Sequence, residues 1–136
     1  MRTYLIAGAL ALASCVVVTG AFVSPTFAAA TDYRFEAAGK QAHLSGDKAV
    51  MIVRLVHVPD GKPVMDAVIF ESKADMSPMG MATMTSPTTI EPASGDGLYR
   101  IDLDAGAPGP WAITLAAKVQ GETETVRGSV VVTLEK

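Results

Sequence analysis

The chain has 136 residues, a formal net charge of −3 at pH 7 and 49% hydrophobic residues. That length holds one domain with a modest core. The charges are scattered with no basic patch, which excludes a phosphate-backbone partner and therefore nucleic acid.

The chain opens with Arg2, a charge-free apolar run from Tyr4 to Val23, and then "SPTFAAA". Positive start, apolar middle and small residues at Ala28-Ala29-Ala30 read as a signal peptide. Residues 1–30 are expected to be cleaved, leaving 31–136 as the mature domain in the periplasm or another extracytoplasmic space. Two alternatives compete. The apolar run is about 20 residues, long enough for a retained membrane anchor. "LASC", ending at Cys15, resembles a lipobox, although "VVVTGAFV" then continues the apolar run where a polar tether would be expected. Cleavage removes Cys15, the chain's one cysteine, and with it any disulfide, thiolate site or cysteine nucleophile. From Thr31 onward ten basic and fourteen acidic residues leave a net charge of −4.

The mature region reads as strands between turns. "YRFEA" (Tyr33 to Ala37) is a short first strand ended by Gly39. "AVMIVRLVHV" (Ala49 to Val58) is β-branched and closes in the turn "PDGKP". "VMDAVIFES" (Val64 to Ser72) places Met65, Ala67 and Ile69 on one face and Val64, Val68 and Phe70 largely on the other. "TTIEP" follows a methionine-rich stretch, and "ASGDG" turns the chain into "LYRIDLD", where Tyr99, Ile101 and Leu103 alternate with polar residues. After "GAPGP", "WAITLAAKV" and "VRGSVVVTLE" form a final pair around Gln120-Gly121. No window from Thr31 onward has a long apolar face at helical spacing. Six or seven short strands at this spacing predict an immunoglobulin-like antiparallel β-sandwich of about seven strands. An up-and-down barrel would need more strands.

The stretch "DMSPMGMATM" sets Met76, Met79, Met81 and Met84 among Ser, Pro, Gly, Ala and Thr, in what reads as a loop. Random placement of the six methionines after Thr31 would put about 0.5 in such a nine-residue window, against four here. Thioether sulfur is soft and neutral, suits Cu(I), and binds hard cations poorly. Adaptable packing or a compliant partner surface would use the same residues. The site expected from this pattern is a metal site of Met76, Met79, Met81 and Met84.

"VPDGKPVMDAVIFES", the methionine-rich segment and "GLYRIDLDAGAPGPWAITLAAKV" together resemble the YtkA-like and FixH-like group of bacterial extracytoplasmic domains. The resemblance covers about Val53 to Val119. It implies a small immunoglobulin-like module linked to copper handling, heavy-metal efflux or respiratory-oxidase assembly. Its partner would be a membrane transporter, efflux or oxidase-assembly protein. Metal-linked members of the group mix His with Met in the central loop. This loop has no His, which disfavours Cu(II) there and leaves Cu(I), with Ag(I) as a further candidate. A metal-free interaction module for a cell-envelope complex is the alternative.

His43 and His57 are the two histidines. His57 is expected to be a hydrogen-bonded structural residue at a strand end, and His43 to be exposed near a turn. Trp111 is expected to plug the core at one end of the sandwich, and Tyr99 to be structural. The chain carries no G-x-S-x-G, H-E-x-x-H or Walker A pattern. It reads as a binding protein and not as an enzyme.

Overall fold

The computed structural model describes residues 30–92 and 97–136. Apart from Ala30, the leader expected at residues 1–30, with its cleavage region and Cys15, lies outside the described residues.

Ten strands form among the described residues: β1 (Tyr33–Ala37), β2 (Gln41–Ser45), β3 (Lys48–His57), β4 (Lys62–Pro63), β5 (Ala67–Met76), β6 (Met81–Ser86), β7 (Thr88–Pro92), β8 (Leu98–Asp104), β9 (Gly109–Val119) and β10 (Val126–Glu135). One layer is ordered β7-β8-β3, with β1 and β4 also on β3. The other is ordered β6-β5-β9-β10-β2. The result is an immunoglobulin-like β-sandwich. Its strands outnumber the expected seven because β2, β4 and β6 are short and carry little hydrophobic patterning. The pairing is not wholly antiparallel either. β2 runs parallel to β10 through Thr133↔Gln41 and antiparallel to β3 through Leu44↔Ala49, so it bridges the two layers.

Alternation builds the core. Trp111, Ile113 and Leu115 of β9, beside Val132 and Leu134 of the neighbouring β10, face Val53 and Leu55 of β3 and Ile101 and Leu103 of β8, all buried in one cluster. Tyr99 ties the layers together, since its hydroxyl donates to the Ala67 carbonyl on β5. Gly128 is required where β1 crosses β10, because a Cβ there would lie 2.9 Å from the Phe35 ring.

One irregularity decides the rest. In β5 the register against β9 shifts between Ile69↔Ala117 and Glu71↔Ala116, leaving Phe70 as an extra residue. A strand has a side-chain period of two, so one added residue exchanges its faces. Before the bulge Ala67 and Ile69 point inward. After it Ala74 and Met76 do.

Candidate metal centre

The methionine-rich stretch is not a loop but a strand, a tight turn and a second strand. Asp75 Oδ1 accepts the Ser77 N–H at 3.0 Å, a side-chain turn that starts a single 3-10 turn over Ser77–Met79. Pro78 suits that turn. Gly80 ends it at φ 75, a left-handed conformation that favours glycine, and its N–H donates to the Ser77 carbonyl at 2.8 Å. β6 then begins with Met81 as the Cα partner of Met76. Ala82, Thr83 and Met84 have no partner in β5 before Thr85 pairs with Asp75.

This geometry divides the four predicted ligands. Met79, on the turn, is 54% exposed; Met81, at the first paired position, 40%; and Met84, in the irregular part of β6, 45%. Met76 is only 2% exposed and belongs to the core. Its Cε lies where a Cβ on Gly109 would come within 3.3 Å. Met76 and Met81 are directly opposite, which puts their Cβ atoms about 5 Å apart. The hairpin therefore presents three thioethers to solvent and packs a fourth beneath them. No residue pattern marked Met76 as different, because the Phe70 bulge that turns it inward has no sequence signature.

The surrounding charge is slight. Asp75 is buried, with Lys73 Nζ 3.6 Å away. Hydrogen bonding from Ser77, through its hydroxyl and its backbone N–H, holds the Asp75 carboxyl below its usual range, and Lys73 adds to this. Among the described residues no group of three His, Cys, Asp or Glu side chains could hold a metal ion.

The topology keeps both histidines away from the hairpin. His43 is exposed on β2, beside Glu135 of β10 and three strand spacings from β5, about 14 Å. His57 ends β3 at the opposite end of the sandwich. Its Nδ1 lies 2.9 Å from Asp60 Oδ1, and its ring centroid is 5.2 Å from that of Tyr33. His57 is thus the structural residue expected. Trp111 is buried, and its Nε1–H donates to the Ala107 carbonyl at 3.0 Å, so the loop before β9 folds over a core plug.

Fold and hairpin together define a small immunoglobulin-like module carrying exposed thioethers at one end. The chain belongs to the YtkA-like family, whose model matches residues 27–116. No curated protein matches it in sequence. Among solved structures, the chain is similar to the Lin-41 filamin domain, with a TM-score of 0.45 and 15% identity over 81% of this chain and 98% of that one. A DUF4426 family protein from Pseudomonas aeruginosa gives a TM-score of 0.49 and 16% identity over 74% of this chain and 86% of that one. The ZirS C-terminal domain gives 0.41 and 10% identity over 100% of this chain and 88% of that one.

Proposed function

We propose that this protein is an extracytoplasmic metal-handling module. It binds Cu(I), or Ag(I), through the thioethers of Met79, Met81 and Met84, and passes the ion to a membrane transporter, efflux or oxidase-assembly partner. It acts by binding and release, not by catalysis. The observation that carries this reading is the exposure of three methionines on one short hairpin.

Three neutral sulfurs suit a soft monovalent ion. Unlike thiolates, they do not condense to disulfides in an oxidising compartment. They lose no proton on binding, so affinity stays nearly flat with pH. Met76 packs in the core beside the hairpin.

An anaerobic Cu(I) titration of the mature chain against a chromophoric competitor tests this. The parent should compete, and the triple variant M79L/M81L/M84L should not, while both keep the fold because Leu and Met have similar volumes. Equal competition by the triple variant sinks the proposal. The same exposed thioethers also fit a metal-free, compliant contact with a protein partner. That second reading predicts no competition by the parent and partner capture that survives the Leu substitutions.

A further inference from the structure

We infer that Met79, Met81 and Met84 form a modification site, at which a peroxide-class oxidant converts all three thioethers to sulfoxides while the core methionines and the fold stay intact. The site itself is independent of the metal reading. Its consequence, that oxidation closes the hairpin to a soft ion, rests on the function proposed above.

Access is the first requirement. Met79, Met81 and Met84 are 54%, 40% and 45% exposed. The residues between them, Gly80, Ala82 and Thr83, are small and themselves exposed. Among the described residues β6 has a strand on one side only, β5, so it forms the open margin of its layer. Met76 and Met51 are 2% and 4% exposed and belong to the core. An oxidant meets those two only when the core opens.

Tolerance is the second requirement. A sulfoxide turns an apolar side chain into a polar one, whose oxygen needs a hydrogen-bond partner. On Met79, Met81 and Met84 water supplies it. On Met76, whose methyl sits beside Gly109, the oxygen would be a buried acceptor without a partner and would destabilise the core. The hairpin can therefore carry three sulfoxides and stay folded, provided that the methionine beneath them is spared.

The chemistry is a two-electron oxygen transfer. A thioether lone pair attacks one oxygen of hydrogen peroxide, and the S–O bond forms as the O–O bond breaks. Sulfur gives up two electrons, and the second peroxide oxygen leaves as water after taking up the proton of the first. A thiol-dependent reductase reverses the change, two thiols becoming a disulfide while the sulfoxide oxygen leaves as water. A soft ion draws on the same sulfur electrons, and a sulfoxide offers a hard oxygen in their place. Bound ion thus shields the three sulfurs, and the oxidised hairpin rejects the ion.

The test treats the metal-free mature chain with hydrogen peroxide and follows each methionine by tandem mass spectrometry. Met79, Met81 and Met84 should each take up one oxygen at least about tenfold faster than Met76 and Met51, with the circular dichroism unchanged. Met65, 56% exposed and preceding the far end of β5, serves as the comparison for a lone surface methionine. Ag(I), which peroxide does not oxidise, should slow the three hairpin methionines at least about fivefold in chloride-free buffer and leave Met65 unchanged. The oxidised chain should lose its competition for Cu(I). Oxidation of Met76 as fast as Met79, or loss of the native fold as the three oxygens are added, overturns the inference whether or not an ion binds. So does an oxidised chain that competes for Cu(I) as well as the parent. Selective oxidation in a parent that binds neither Cu(I) nor Ag(I) upholds the modification site and removes the metal reading alone.

Discussion

At the end of the sandwich where β3 finishes, polar side chains partner one another. Tyr33 donates to Glu122 at 3.0 Å, His57 meets Asp60, and Asp60 Oδ1 accepts the Lys62 N–H at 3.1 Å. Burial, with Glu122 beside it, pushes the Tyr33 hydroxyl up to about 12, so it stays protonated. At the other end Met79, Met81 and Met84 are about half exposed, above a fourth methionine that is buried in the core. The residues that most resemble reactive groups are thus engaged in structure. The side chains open to a ligand are ones that neither titrate nor form strong hydrogen bonds. The two ends of the sandwich thus differ in which side chains they leave open.

The contrast begins within the hairpin itself. If Met76 is core and Met79 is surface, Met76→Ala should cost about 2–5 kcal/mol and Met79→Ala no more than about 0.5. Urea unfolding of the two variants reads the difference directly. Met76→Leu should stay within about 1.5 kcal/mol of the parent and keep its Cu(I) affinity. A loss of Cu(I) affinity in Met76→Leu at unchanged stability would return Met76 to the ligand set. The two ends of the hairpin would then no longer differ.

Much of the sandwich was legible because period-two alternation is a direct imprint of a half-buried strand. "YRFEA", "TTIEP", "LYRIDLD" and "VRGSVVVTLE" coincide with β1, β7, β8 and β10 as they stand. "MATMTS" was hidden because Ala, Thr and Ser carry no hydrophobic signal and three of its residues sit outside the ladder. The methionine cluster was visible as composition, but its division was not. That division depends on Phe70, an extra residue in a run of apolar residues whose register only the pairing with β9 reveals.

Two substitutions elsewhere have smaller effects. Tyr99→Phe removes the donor to the Ala67 carbonyl between the layers and should cost about 1–3 kcal/mol, because a buried acceptor loses its partner. A change under about 0.5 kcal/mol in thermal unfolding would mean that water replaces it. Gly80→Ala forces a side chain into the left-handed conformation that closes the methionine turn, at about 1 kcal/mol, with open space around the added methyl. Its Cu(I) affinity should fall with the distorted turn although no sulfur is touched. Unchanged affinity would show that the thioethers bind without help from the turn.

The smallest effect is in pH, and its sign separates the two ends. The Asp75 carboxyl is held below its ordinary range by Ser77, then by Lys73. A depressed folded value stabilises above the ordinary carboxylate range, about pH 4, and the contribution disappears as pH falls through the folded value. Thioethers do not titrate, so Cu(I) affinity should stay flat from neutral pH down to that range and fall only where the turn loosens. Asp60, at the far end, is also depressed, chiefly by the Lys62 N–H and then by His57, so global acid unfolding overlaps. Asp75→Asn isolates the hairpin, because an amide oxygen can still accept the Ser77 N–H but cannot be protonated in this range. The ¹³C-methyl signals of Met79 and Met81 should then hold their native shifts further into acid than in the parent, while His57 signals follow the same course in both. Parallel acid shifts of the methionine methyls in parent and variant would mean that Asp75 merely rides on the fold and does not order the turn.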